Sequence, residues 1–190
     1  MTRVHVVGAS SSGTTTLGAA LARRLGGAHL DTDNYFWAPT DPPFTTRRPP
    51  EDRVALMEAD LAGQDAWVIS GSLMGWGDVF VPRFDLVVFL YVPPQARIAR
   101  LMAREVERYG QEVLPGGRMH EAHLAFVEWA RGYDRPGFEG RSLERHRAWL
   151  AGLTCPVLEI AGTPTVEESL ARAEAALAEL GYRPAGPRSK

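Results

Sequence analysis

The chain has 190 residues, 45 % of them hydrophobic and 23 % charged, with a formal net charge of −2. That length suits one domain with a real core and is short for two, and the near-neutral balance gives no general reason to expect nucleic acid or an anionic membrane as partner. One cysteine, Cys155, rules out an intrachain disulfide, and no apolar run approaches the length that spans a bilayer. The opening residues meet glycine at once and do not read as a signal peptide, so the expectation is a soluble cytoplasmic protein. Lysine occurs once, as Lys190, while arginine is abundant. A cation in a site must then be an arginine, always charged and forked for phosphate oxygens.

In chain order, residues 3–7 read as a short buried strand. Residues 14–25 place Leu17, Leu21 and Leu25 at helical spacing and stop at Gly26-Gly27. Residues 28–33 form a second strand running into a loop. Residues 37–50 carry five prolines and predict an irregular excursion. Residues 51–63 predict a helix with Glu51 and Asp52 in its first turn, and residues 66–71 a third strand. Residues 85–92 are a continuous apolar run, as in a strand covered on both faces. A helix over 93–110 starts at proline and ends at glycine. Helices over 119–131 and 141–152, a fifth strand over 155–162 and an amphipathic helix over 165–180 complete the pattern. The last of these has Val166, Leu170, Ala173, Leu177 and Leu180 on its apolar side. Residues 183–190 predict a flexible tail.

Strands alternating with helices predict an α/β protein with a parallel sheet covered on both faces. The expected organisation is one domain over 1–182. Residues 105–152, polar and arginine-rich, are expected to form a lid-like helical insertion.

The segment from Val6 to Gly18, VVGASSSGTTTLG, carries the strongest chemical signal. Gly8 and Gly13 have the separation of a phosphate-binding loop, between a predicted strand and a predicted helix, which is the context that motif demands. Glycines let the chain curl so that successive N–H groups point inward, and the helix adds its positive end. Gly8, Ala9, Ser10, Ser11, Ser12, Gly13, Thr14, Thr15 and Thr16 are the candidate nucleotide-binding residues. Thr15 holds the hydroxyl position that ligates Mg²⁺, and Thr14 replaces the usual lysine. The plain alternative is a serine-rich turn without a ligand.

This loop resembles those of small P-loop kinases, and its Gly-Thr-Thr variant looks like the lysine-less loop of phosphoribulokinases. The stretch from His29 to Trp37, HLDTDNYFW, resembles the Asp-x-Asp of shikimate kinases. Residues 3 to about 104 are also similar to the adenylate kinase-related proteins that include the topology modulation proteins. The resemblance implies a P-loop three-layer sandwich with strand order 2-3-1-4-5, ATP and Mg²⁺ as cofactors, and a small-molecule or nucleotide acceptor. By it, Asp33 orients or deprotonates the acceptor hydroxyl, Asp31 joins the metal shell with Thr15 and Asp33, Arg100 lies over the adenine, and Arg104 reaches the transferring phosphate. Gly162 and Thr163 resemble an adenine-contacting loop. One departure stands out: Ser70 ends the third strand where adenylate kinases have aspartate.

Several of these residues have plainer readings. Asp31 and Asp33 lie two apart, so on an extended segment both carboxylates face one side, but either one could instead cap a helix. Arginines at helical spacing otherwise form a solvated face. Trp37, Arg47, Arg48, Gly71 and Trp76 are the candidate acceptor-site residues, with Phe44, Leu73 and Met74 near them, although the aromatics would serve equally to pack the excursion onto the sheet. His120, His123 and His146 lack zinc-site spacing. The rival readings are a nucleotide-binding regulatory protein with little turnover and an NTP hydrolase.

Overall fold

The computed structural model describes residues 1–182; the expected tail at 183–190 lies outside them. Five strands form one parallel sheet in the order β2-β3-β1-β4-β5. They are β1 (Thr2–Gly8), β2 (Ala28–Asp31), β3 (Ala66–Ser70), β4 (Leu86–Tyr91) and β5 (Val157–Ala161). β1 lies at the centre, with Val4 beside Val68 of β3 on one side and Leu86 of β4 on the other. The chain reverses direction across the sheet at β1, so its carboxyl end opens a crevice in which α/β proteins bind ligands.

Alternation along the central strands sorts side chains into two layers. Val4, Val6, Leu86, Val88 and Leu90 face α1 (Thr14–Leu25) and α7 (Val166–Glu179), meeting Leu17, Leu21, Leu25, Leu170, Ala173 and Leu177. Val166 and Leu180, expected on the apolar side of α7, are instead 37 % and 39 % exposed, one at the first residue of the helix and one just past its end. On the opposite face Val7, Ile69, Val87 and Phe89 pack with Tyr35, Met57, Leu61, Phe80 and Phe84. These come from α2 (Thr32–Phe36), α3 (Pro50–Leu61) and a 3₁₀ turn at Asp78–Arg83, and Trp149 and Leu150 of α6 (Leu143–Ala151) close that layer. Phe89 and Val88 therefore face opposite cores, which is why residues 85–92 show no alternation in sequence.

The second strand ends at Asp31 rather than at Asp33, and α2 follows at once. Asp31 adopts an extended backbone and its carboxylate accepts from the Asp33 amide at 3.0 Å, capping the short helix. The two carboxylates are thus not presented by an extended segment. The proline-rich excursion is partly ordered by pairing: Ala38 donates to the Thr46 carbonyl at 2.8 Å, and Arg48 N–H donates to the Phe36 carbonyl at 2.9 Å. Cys155 is half-buried beside the aromatic core, which raises its thiol pKa.

The segment from 94 to 151 builds a helical annex. α4 (Pro94–Tyr109) and α5 (His120–Arg131) share a small core of Leu101, Val127 and Ala130. Arg97, fully buried on α4, donates to the Ala130 carbonyl at 2.9 Å and to Asp134 Oδ2 at 2.6 Å. This guanidinium fastens the end of α5 to α4, so one of the four arginines in that helix is structural.

Candidate functional site

The loop between β1 and α1 is shaped to leave donors free. Ser11 and Gly13 both adopt left-handed conformations, with φ of 63° and 95°. A side chain at Gly8 would overlap Ser12 Oγ and the Leu90 carbonyl, so only glycine passes there. Gly13 occupies the cap position of α1 and has no side chain to cap it. The first amides of a helix have no intrahelical acceptor, so those of Thr14, Thr15 and Thr16 are available at the positive end of a twelve-residue helix. The Ser11 and Ser12 hydroxyls are buried without a hydrogen-bond partner among the described residues. Unpaired buried hydroxyls in a curled, glycine-flanked loop are what a group rich in acceptor oxygens would satisfy.

The ends of β2 and α1 meet beside this loop. Thr15 Oγ1 donates to Asp31 Oδ2 at 2.6 Å, while Asp31 Oδ1 accepts from the Asp33 amide. A hydroxyl and a carboxylate, both hard oxygen ligands, fit Mg²⁺, which keeps several waters and is completed by phosphate oxygens. No cluster of three or more His, Cys, Asp or Glu suited to a metal occurs among the described residues. The pair therefore fits a metal that arrives with phosphates, not one caged by protein alone. Asp33 is solvent-exposed, yet partial desolvation and then the Asp31 charge raise its pKa, while Arg141, Arg104 and Arg108 act in the opposite direction.

Ser70, which ends β3, is fully buried and within 2.9 Å of His29 Nε2. It is engaged toward β2. Gly71 then turns the chain at φ 106°, donating to the Val6 carbonyl at 3.0 Å. A Cβ there would overlap the Thr32 hydroxyl, which itself accepts from the Ser72 amide at 3.1 Å. The β3 turn and the start of α2 are so joined, and Asp33 is carried on the element they lock.

Two cavities flank this point. One, of about 210 Å³, is lined by Phe36, Ser72, Met74, Trp76, Trp129, Gly140, Arg141 and Arg145. The other, of about 250 Å³, runs from Asp33 along the excursion past Trp37, Pro43, Phe44 and Arg48. Leu73, expected nearby, is instead fully buried in the core. Trp76 is fixed by its indole N–H, which donates to the Ser72 carbonyl at 3.0 Å. Arg48 is spent on structure: its guanidinium donates to the carbonyls of Asn34 and Tyr35 at 2.9 and 3.1 Å, and also to that of Trp37. Arg47 is exposed, with its guanidinium 5.7 and 5.8 Å from the Phe36 and Trp37 rings. The two adjacent arginines therefore do not form a paired anion clamp.

Arg104 is half-buried, bonds Glu105 at 2.9 Å, and acts on the Asp33 charge; Arg100, one turn earlier, is exposed. The Gly162 amide is taken by the Tyr91 carbonyl at 2.9 Å, and Thr163 is exposed after β5. Sequence reasoning left open which annex arginine turns toward the site. Arg141 does: it lines the first cavity, acts most strongly of the arginines on Asp33, and lies 5.7 Å from the Trp129 ring. Arg53 of α3 went unnoticed in the sequence. It is 7 % exposed, stacks at 3.9 Å on Phe36, and bonds the Arg48 carbonyl at 2.7 Å. Its only sequence signal is an arginine on the apolar side of a helix that also holds Met57 and Leu61.

No protein-family model matches the chain. It is 48 % identical over 169 residues to the uncharacterized protein YqaC of Bacillus subtilis (strain 168), an alignment covering 89 % of this chain and 93 % of that one. Among solved structures, a shikimate kinase from Bacteroides thetaiotaomicron aligns with a TM-score of 0.56 at 20 % identity, covering 93 % of this chain and 98 % of that one. A gluconokinase from Sinorhizobium meliloti 1021 gives 0.54 at 18 % identity, with 94 % and 93 % covered. A shikimate kinase from Acinetobacter baumannii in complex with shikimate gives 0.54 at 15 % identity, covering 94 % of each. These likenesses show the fold, an α/β sandwich shared with P-loop kinases. No helix among the described residues is long and apolar enough to cross a membrane.

Proposed function

The chain belongs to the family of the Bacillus subtilis protein YqaC, and from its P-loop kinase fold and the loop geometry we propose that it is an ATP- and Mg²⁺-dependent kinase acting on a small-molecule hydroxyl. The observation that carries this reading is the junction of Thr15 and Asp31 at 2.6 Å beside an uncapped helix N-terminus. Hydroxyl, carboxylate and open amides converge there, as a metal-bound triphosphate requires.

In this reading the amides of Gly13 to Thr16 and the Ser11 and Ser12 hydroxyls hold the β- and γ-phosphates. Thr15 and Asp31 hold the metal, which when bound offsets phosphate charge. Arg104 supplies the cation that the missing lysine does not. Asp33 accepts the acceptor's proton as its oxygen attacks the γ-phosphorus. The bond from that phosphorus to the β–γ bridging oxygen breaks, and ADP leaves. A raised Asp33 pKa brings this carboxylate closer to the working range of a general base. Residues 1–182 act as one domain; of the expected lid at 105–152, the part before α6 excludes water, since Trp149 and Leu150 of α6 belong to the sheet core.

A second reading, a nucleotide-binding regulatory protein with little turnover, is favoured by Thr14 in the lysine position. Both readings meet the same first test: thermal melting with ATP or GTP, with and without Mg²⁺, for the wild type and Gly13→Glu. A ligand bound only by the folded state raises the melting temperature by mass action. A Mg²⁺-dependent rise that disappears in Gly13→Glu is expected. No rise at millimolar nucleotide refutes both, and nucleotide binding without transfer to any acceptor selects the regulatory reading.

A further inference from the structure

We propose that the acceptor is a flat, single-ring anion carrying one reactive hydroxyl, held in the cavity between Phe36, Trp76 and Trp129 with its anionic end on Arg141 and Arg145. The proposal rests on the kinase reading, whose acceptor site it specifies.

The cavity's chemistry is lopsided. Of the side chains that line it, Phe36, Met74, Trp76 and Trp129 are apolar walls, and Arg141 and Arg145 are cations. Ser72 supplies the one side-chain oxygen, and no carboxylate or carboxamide lines the space. Neither Arg141 nor Arg145 takes part in an ion pair among the described residues. The lining offers many donors and almost no acceptors. A carboxylate or phosphate answers that demand, since guanidinium forks bind such groups with two parallel bonds. A polyhydroxylated acid does not answer it. Each additional hydroxyl would bring a donor into a space without acceptors, and an unsatisfied buried donor is penalised.

Wall geometry points to a ring. Phe36 stands one turn beyond Asp33 on α2, so the two share a helix face, and Asp33 itself lines the second cavity. The Arg53 guanidinium stacks on Phe36 at 3.9 Å and lies 5.8 Å from the Trp76 ring, so one buried cation holds both of these walls. Trp76 is locked by its own hydrogen bond to the Ser72 carbonyl, and Trp129 stacks on Phe126 at 5.9 Å. Rigid aromatic faces favour flat partners. At about 210 Å³ the space is small for a nucleotide and fits one ring with two short substituents.

The test measures binding without requiring turnover. Tryptophan fluorescence and saturation-transfer NMR would follow 4-(hydroxymethyl)benzoate, its neutral counterpart 1,4-benzenedimethanol, gluconate and shikimate, using the wild type, Arg141→Ala and Trp129→Ala. Melting with ATP and Mg²⁺ is run in parallel on each protein. The aryl carboxylate is expected to bind the wild type, and the neutral diol roughly ten- to a hundredfold more weakly, the weight of one charge-assisted bidentate pair. Arg141→Ala should lose the preference for the anion. Trp129→Ala should weaken both aryl ligands and leave the nucleotide response intact. Equal or tighter binding of gluconate or shikimate overturns the proposal, as does equal binding of the neutral diol. Nucleotide binding with no affinity for the aryl carboxylate overturns it while the kinase reading stands. Aryl binding without a nucleotide response sinks the kinase reading and leaves the acceptor class in place.

Discussion

Acidification from pH 7 to pH 5 should remove roughly 3–4 kcal/mol of folding stability through two buried histidines. His5 of β1 and His146 of α6 are both fully buried. Burial drives the His5 pKa down to about 4, with the Ile69 carbonyl acting in the opposite direction. Burial, then Arg141 and His5, drive that of His146 down to about 3. A lowered native pKa means that the folded protein excludes a proton that the unfolded chain takes up near pH 6.5. The stability these groups contribute is thus complete above about pH 6.5 and falls as pH drops toward the native values. Each group loses stability at up to about 1.4 kcal/mol per pH unit across that window, so each contributes close to half of the total by pH 5. His29, lowered by burial against the pull of Asp31, adds in the same direction.

Urea unfolding at pH 7, 6 and 5 reads this directly, as a falling midpoint at constant slope. His146→Gln removes one titrating ring. Its carboxamide oxygen can accept from the Tyr133 hydroxyl, which lies 2.8 Å from His146 Nδ1. Whatever its stability at pH 7, this variant should show about half the wild-type pH dependence. Equal stability at pH 5 and pH 7, or an undiminished slope in His146→Gln, would refute the reasoning.

Gly71→Ala places a methyl against the Thr32 hydroxyl at a positive φ; the strain should lower stability by roughly 1–3 kcal/mol, read by thermal melting, and should also weaken acceptor binding because Asp33 rides on α2. Arg97→Ala strands Asp134 and the Ala130 carbonyl and should cost about 3–5 kcal/mol in urea unfolding. Asp31→Asn keeps an oxygen for the α2 cap but removes the charge beside Thr15. Calorimetric titration should show Mg²⁺-dependent nucleotide affinity falling about tenfold or more, with metal-free nucleotide binding little changed.

Hydrophobic pattern and glycine placement disclosed most of the fold. The continuous apolar run at β4 and the 3.6-residue spacing in α1 are direct consequences of two-sided and one-sided burial. The short helix after β2 was legible only as the alternative in which Asp31 or Asp33 caps a helix, because Tyr35, Phe36 and Trp37 favour extended structure in isolation. What decides the local geometry is the cap on Asp31, joined to packing of Tyr35 against the core and its hydroxyl bond to Asp60 at 2.7 Å. The β1–α1 loop was legible because backbone conformation forces glycine at fixed spacing. The cavity proposed for the acceptor was not. Arg53, Trp129 and Arg141 sit on three separate elements, and only the folded chain sets one against Phe36, one opposite it and one against Asp33.

That distribution bears on the lysine question. Removing one good transition-state donor costs roughly 10²–10³ in rate, so a loop with Thr14 in the lysine position demands a replacement cation if it transfers phosphate. Arg48 and Arg97 are excluded by their bonds to backbone carbonyls and to Asp134. Arg53 is excluded by its bond to the Arg48 carbonyl and its stacking on Phe36. Among the remaining cations, Arg141, Arg104 and Arg108 act on Asp33, and the latter two lie four apart on one face of α4. Substituting Arg104, Arg108 and Arg141 singly therefore separates the roles. An arginine that replaces the lysine lowers kcat with little change in acceptor KM, whereas one that only holds the acceptor raises KM first. If all three substitutions change KM alone, no cation has replaced the lysine, and the regulatory reading takes precedence over catalysis.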